Sequence, residues 1–349
     1  MIRIGVVGCG NISGIYFRNL TRRFAGVSVY ACGDLDGDRA RGAAEKWGIP
    51  HIMTLEEMLD CPEIDLILNL TTPRGHYPIN RQCLLAGKSV YCEKPLSLTY
   101  EQGKELYTLA NEKGLWLGCA PDTFLGAGIQ TCRALIEAGK IGRPVSAMAF
   151  MLCHGHESWH PDPAFYYDLG GGPLFDMGPY YLTALTVLLG EAQSVSAMNS
   201  RAFEERLITS QPKNGTRIDV KVDTHDAALI RFRNGAVATL ITSFDVWRST
   251  LPNMELHGTD GSLRAPDPNC FSGPVYSSVR GGDWVEEALI SDLSDNCRGL
   301  GVVQMAKAME SGAYLHPASG RRGLHVLEMM DAIVRSSREK REIELESRL

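Results

Sequence analysis

Ile2-Arg3-Ile4-Gly5-Val6-Val7-Gly8-Cys9-Gly10-Asn11-Ile12-Ser13 is the stretch that decides the fold of this chain. Its first six residues are a short apolar run, suited to a strand buried on both faces of a parallel sheet. Gly8 makes a tight turn, and Gly10 removes a side chain that would obstruct a pyrophosphate. From Ser13 to about Phe24 the pattern turns helical, so the backbone N–H groups around Gly8, Gly10, Asn11 and Ile12 face an incoming phosphate charge. Ser13 stands where such loops carry a third Gly or Ala, and it is small enough to keep helix and strand close. Asp34 follows a second strand, Val27–Cys32. A carboxylate at that spacing accepts hydrogen bonds from both hydroxyls of an adenosine ribose and repels a 2′-phosphate. Leu35 comes next instead of the Arg or Lys that would welcome NADP, so the expected cofactor is NAD rather than NADP. Asp36 is the alternative ribose partner.

Working outward, the alternation continues. Asp38–Trp47 is helical and stops at Gly48; Leu55–Leu59 is a short helix; Ile64–Leu70 is a strand. His76–Leu85 is helical up to Gly87, and Ser89–Cys92 is a strand. Thr99-Tyr100-Glu101-Gln102 fits a capping box opening a helix to Lys113, and Leu115–Gly118 is the last strand of the set. Such regular alternation implies a doubly wound parallel sheet covered on both faces, with ligands beyond the carboxyl ends of the strands. The expected division is 1–121 for this Rossmann domain and 122–349 for a second domain, the last helix packing back on the first.

Composition narrows the function classes. The chain has 349 residues, 44% hydrophobic and 22% charged, ordinary for a folded protein and long enough for two domains. A net charge of −6 argues against nucleic acid as a partner. No apolar stretch approaches the roughly 18 residues that span a bilayer, and the opening residues lack the shape of a signal peptide. The ten cysteines are scattered without a C-x-x-C pair, as expected of reduced core thiols in the cytoplasm.

Three further segments carry chemistry. Thr71-Thr72-Pro73-Arg74-Gly75-His76 follows the third long strand, Glu93-Lys94-Pro95 follows the next, and Gly170-Gly171-Gly172-Pro173-Leu174-Phe175-Asp176-Met177-Gly178-Pro179-Tyr180 comes later. With the glycine loop, these resemble, in order, the motifs of the Gfo/Idh/MocA family, which includes glucose–fructose oxidoreductase and inositol dehydrogenases. The resemblance implies an α/β fold whose C-terminal domain is built on a large, mostly antiparallel open sheet. It also implies an oxidoreductase that moves a hydride between a nicotinamide and a hydroxyl-bearing carbon of a sugar, polyol or glycoside. Pairing through the open sheet face would give a homo-oligomer, a dimer or tetramer. Pro144–Leu152, Ser194–Ser200, Asp226–Arg233, Ala236–Ser243 and Asn253–Gly258 read as the strands, with Asn234-Gly235 as a hairpin turn. Phe175–Leu189 and Leu324–Arg338 read as covering helices.

Removing a hydride from an alcohol carbon requires a group that accepts the hydroxyl proton. By the resemblance, Lys94 contacts the reacting oxygen, and Thr71, Thr72, Pro73, His76, Glu93 and Lys94 lie on the cofactor side. Asp176 and Tyr180 are four apart at a helix start, so both can project from one face. The family most often has His where this chain has Tyr180. Lys94 and Tyr180 are therefore expected to share the proton, with Asp176 orienting substrate hydroxyls and Tyr181 the competing tyrosine. His156, Glu157 and Trp159 are expected substrate contacts, since a sugar ring stacks on an indole. Asp122, with Thr123, is another. Cys153, His154, His156 and His160 invite a zinc reading, but no metal is expected. The competing functions are an NAD-dependent glycosidase working through transient sugar oxidation and a non-catalytic NAD- and sugar-binding sensor.

Overall fold

In the computed structural model, which describes residues 1–313 and 316–349, the opening run is strand β1 (Ile2–Val7) and the helix after the glycine loop is α1 (Ser13–Arg22). Then follow β2 (Val27–Gly33), α2 (Gly37–Trp47), β3 (His51–Ile52), α3 (Leu55–Asp60) and β4 (Leu66–Asn69). Next come α4 (Pro73–Leu85), β5 (Ser89–Cys92), α5 (Tyr100–Glu112), β6 (Leu117–Cys119) and α6 (Ala127–Glu137). The chain continues through β7 (Pro144–Leu152), α7 (Gly172–Asp176), α8 (Gly178–Leu189), β8 (Ala192–Ser200), β9 (Glu205–Leu207) and β10 (Arg217–Asp219). It ends with β11 (His225–Phe232), β12 (Val237–Ser243), β13 (Met254–Gly258), β14 (Gly261–Ala265), β15 (Val275–Val279), β16 (Val285–Glu287), α9 (Leu300–Ser311), α10 (Gly320–Glu339) and β17 (Ile343–Glu344).

Two units divide the chain: Met1–Leu125 with Asn296–Leu327, and Gly126–Asp295 with Glu328–Leu349. The first unit thus holds more than residues 1–121, because the segment bearing α9 and the start of α10 belongs to it.

The first unit is a six-stranded sheet in the order β3-β2-β1-β4-β5-β6, and every pair is parallel. β4 and β5 are buried at every residue, as strands covered on both faces must be. Strand order reverses at β1, between β2 and β4, which puts the loops after β1 and β4 at the switch point where such sheets bind ligands. The Thr99 hydroxyl accepts from Gln102 N–H at 3.3 Å, but Gln102 Oε1 is buried without a partner, so only half of the expected capping box forms. A complete box caps α3 instead, between Thr54 and Glu57.

The second unit carries a nine-stranded sheet, β16-β15-β14-β13-β7-β12-β11-β8-β17, antiparallel throughout except for β7 beside β12. β11 shows why one face is covered. Asp226, Ala228, Ile230 and Phe232 point inward and are buried, while Leu229 and Arg231 point outward and are exposed. Nearly all of α8 is buried, and fully burying a leucine such as Leu182 or Leu185 contributes roughly 1.5–3 kcal/mol before ordering costs. The single helix expected over Phe175–Leu189 is two. It breaks at Met177, where Pro179 withholds an N–H and Gly178 favours no helix. Asn234-Gly235 is the hairpin turn, with Gly235 at φ +88°.

Candidate active site

Gly8 sits at φ +100°, and a Cβ there would lie 2.8 Å from the Leu70 carbonyl carbon, so only glycine fits between β1 and the end of β4. Gly10 differs. A Cβ there would meet no protein atom within 4 Å, so nothing in the protein requires glycine at that position. A glycine there leaves the loop backbone open to an approaching ligand. The first turn of α1 has no side-chain cap, although Ser13 N–H donates to Gly10 O at 3.2 Å, and a dinucleotide pyrophosphate fits an uncapped helix start of this kind. Asp34 Oδ2 accepts from Cys9 N–H at 2.7 Å and Oδ1 from Asp36 N–H at 2.9 Å, which fixes the carboxylate beside the loop. Leu35 is fully exposed, and Asp36 caps α2 by accepting from Asp38 N–H at 3.0 Å.

After β4, the Asn69 side chain accepts from Thr71 Oγ1 at 2.7 Å and donates to Asn80 Oδ1 at 2.8 Å, holding the Thr71-Thr72-Pro73 turn in place. Sequence reading passed over Asn69 and Asn80, although a buried asparagine closing an apolar strand was the available signal. Pro73 opens α4, three residues earlier than the His76 start read from the pattern, because proline is at home in a first helical turn. The buried His76 ring bridges two loops: Nδ1 lies 2.6 Å from Pro95 O and Nε2 3.0 Å from Thr71 O. Burial pushes its pKa down. Its ring therefore ties the threonine turn to the Glu93-Lys94-Pro95 segment.

Glu93 is buried and holds two groups: Tyr16 OH donates to Oε1 at 2.7 Å and Lys94 N–H to Oε2 at 2.9 Å. Burial, then the Glu93 charge, raises the Tyr16 pKa well above its ordinary value. Lys94 itself is half-buried, and the peptide joining it to Pro95 is cis. Asp122 departs from the expected substrate contact. It is 1% exposed, and its Oδ2 accepts from Gly299 N–H at 2.8 Å and Gly301 N–H at 3.0 Å, capping the start of α9. Thr123 and Phe124 are buried with it.

In the second unit, Asp176 ends α7 half-buried and Tyr180 lies buried in the first turn of α8. The Tyr181 hydroxyl accepts from Asn253 Nδ2 at 2.9 Å and lies 3.5 Å from Asp267 Oδ1, and burial raises its pKa. That hydroxyl is engaged with the sheet. His156 Nε2 lies 3.5 Å from Asp176 Oδ2, with the ring stacked on Tyr166 at 3.8 Å and edge-on to Phe244 at 4.7 Å. Trp159 is 62% exposed beside it, ring centroids 5.1 Å apart. Glu157 has a different partner from the expected sugar: its carboxylate lies 3.3 Å from Arg206 Nη1. Arg206 also pairs with Asp245 and donates to Phe244 O at 2.9 Å, a buried network that sequence reading did not find.

His154 stacks on Trp247, and His160 Nδ1 accepts from Asp162 N–H at 3.0 Å. Among the described residues, no group of three or more His, Cys, Asp or Glu side chains is arranged to hold a metal ion. None of the ten cysteines is in a disulfide, and among the described residues no helix is long and apolar enough to cross a membrane.

Two family models match the chain: an oxidoreductase family with an NAD-binding Rossmann fold over residues 2–120, and the GFO/IDH/MocA C-terminal domain over residues 129–264. A dTDP-3,4-didehydro-2,6-dideoxy-alpha-D-glucose 3-reductase from Streptomyces violaceoruber is 30% identical over 83% of this chain and 80% of its own length. The chain belongs to the Gfo/Idh/MocA family. It is an oxidoreductase with an NAD-binding domain. Within the family it also resembles a 1,5-anhydro-D-fructose reductase from Ensifer adhaerens, 26% identical over 75% of each chain. The fold matches that of a levoglucosan dehydrogenase solved with NADH and L-sorbose, at TM-score 0.83 and 21% identity over 99% of each chain.

Proposed function

We propose that this oxidoreductase transfers a hydride between NAD and a hydroxyl-bearing carbon of a sugar or polyol. Bound NAD supplies the hydride acceptor. Gly8, Gly10, Asn11, Ile12 and Asp34 hold it, with Thr71, Thr72 and Pro73 on the nicotinamide side and His76 and Glu93 bracing that side. The first unit is the cofactor domain, and the second binds substrate and pairs subunits. Lys94 contacts the reacting oxygen and shares its proton with Tyr180, while Asp176 orients the neighbouring hydroxyls and Trp159 stacks on the ring.

The observation that carries this reading is the open backbone at Gly10 beside the fixed Asp34 carboxylate, within a chain whose family relatives are named for sugar and polyol reactions. The open face of the nine-stranded sheet, with Met198 81% and Leu229 53% exposed, supports subunit pairing. Ten cysteines that form no disulfide support a reducing compartment such as the cytoplasm. The experiment is a screen of sugars, polyols and glycosides that follows NADH absorbance and product release together. NADH formation with an oxidised sugar supports the proposal. Hydrolysis of a glycoside without net NADH would replace it with the glycosidase reading.

A further inference from the structure

We infer that Tyr16 is a positioning residue of the first unit, one that sets Lys94 by holding the Glu93 carboxylate to which the Lys94 backbone is bound. This role rests on the reading above, in which Lys94 contacts the reacting oxygen, and it adds the group that places that lysine.

Helix α1 buries Ser13, Tyr16, Phe17 and Leu20, the spacing of one helical face, and Tyr16 is 0% exposed. A phenyl ring would fill such a place, so a tyrosine there must give its hydroxyl a partner. The partner stands just past the end of β5. The hydroxyl donates to Glu93 Oε1 at 2.7 Å, while Glu93 Oε2 accepts from Lys94 N–H at 2.9 Å. Burial, then the Glu93 charge, keeps the hydroxyl protonated, so it is the donor. One carboxylate thus joins the helix that opens at the glycine loop to the backbone of Lys94.

Other supports reach the same segment from β4 and α4. Glu93 N–H donates to Asn69 O at 2.9 Å, and His76 Nδ1 lies 2.6 Å from Pro95 O. Those contacts fix the residues on either side of Lys94, and the Glu93 carboxylate fixes Lys94 itself. Without the Tyr16 hydroxyl, Glu93 Oε1 is a buried oxygen that has lost its donor, and the carboxylate turns to regain one. Its hold on Lys94 N–H then loosens. The Lys94 amine sits at the end of a flexible four-carbon stem, so a shift in its backbone is carried to the nitrogen. A displacement of about 1 Å at a reacting group costs up to about a hundredfold in rate.

The test uses Tyr16→Phe, Glu93→Gln and their combination in the full chain, with thermal denaturation to establish folding. Hydrogen exchange at the Lys94 amide, followed by NMR, needs no substrate. Tyr16→Phe should speed that exchange at least about tenfold, while the Val90 amide, which donates to Trp116 O, keeps its wild-type rate. Unchanged exchange at Lys94 overturns the inference, and so does equal acceleration at both amides, which is a general loosening of the fold. The kinetic readout is turnover of the best sugar or polyol found, with saturating NAD. Tyr16→Phe should lower kcat about ten- to hundredfold and leave the sugar KM and NAD affinity close to normal. Glu93→Gln should cost a similar factor, and the double variant little more than either, because both act through one contact. Effects that multiply, or a normal kcat in Tyr16→Phe, overturn the positioning role. Normal turnover in Lys94→Ala instead contradicts the underlying reading, and the amide exchange still decides whether Tyr16 holds the Lys94 backbone.

Discussion

Asp34 Oδ2 accepts a hydrogen bond from the Cys9 backbone N–H at 2.7 Å, so the carboxylate proposed to meet the adenosine ribose also braces the glycine loop. A phosphate on that ribose would meet the negative charge, and no cation follows at the fully exposed Leu35. NAD is therefore expected to bind at least about tenfold more tightly than NADP, about 1.4 kcal/mol. Asp34→Ala should narrow that gap and weaken NAD as well, since the loop loses its brace. Calorimetric titration of both cofactors against both proteins checks this. Equal affinities in the wild type would remove Asp34 from the ribose.

The two glycines of the loop separate stability from binding. Gly8→Ala places a Cβ against the Leu70 carbonyl at a positive φ, a strain of order 1–3 kcal/mol beyond the clash itself. Gly10→Ala enters open space and should leave the melting temperature nearly unchanged while weakening NAD at least tenfold. Thermal denaturation and NAD titration of the two variants decide it. A Gly10→Ala protein with wild-type NAD affinity would show that no ligand approaches that backbone.

Asp122 predicts a pH dependence. Burial, opposed by the Gly301 N–H and raised further by Glu93, lifts its carboxyl from 3.8 to about 6. The folded state therefore holds a proton that the unfolded chain releases between about pH 4 and 6. The neutral form's contribution is present below about 4 and lost as pH rises through 6, up to ~3 kcal/mol. Asp122→Asn keeps an oxygen for Gly299 and Gly301 and should flatten stability across that window. Urea unfolding at several pH values measures the slope. An equal slope in both proteins would show that Asp122 does not titrate there.

What the sequence made legible was set by local backbone demands. Gly8, Gly10 and Asp34 announce themselves because their spacing along strand, turn and helix constrains the loop whatever the rest of the chain does. The order of strands and helices through Cys119 was readable for the same reason, except for the two-residue edge strand β3, which is too short to leave a pattern. Asp122 was not, because its partners Gly299 and Gly301 lie 177 and 179 residues away. His76 and Glu93 were read as cofactor-side residues, but that one ties two loops and the other holds α1 depends on neighbours that only the folded sheet supplies. Glu157 has the same history: nothing local marks Arg206 as its partner. The break between α7 and α8 was written in Gly178-Pro179, yet the apolar run through Leu189 masked it. Strands β14, β15 and β16 are only three to five residues long, too brief to show an alternating pattern.

The most direct test of the whole account is turnover of Lys94→Ala with saturating NAD and the best sugar or polyol found, beside its NAD affinity. If Lys94 acts at the reacting oxygen, turnover falls about a hundred- to ten-thousandfold. NAD affinity stays close to normal, because the Gly8–Ser13 loop and Asp34 hold the cofactor. Tyr180→Phe, which removes only a hydroxyl, should fall less. Near-normal turnover in Lys94→Ala would contradict the account.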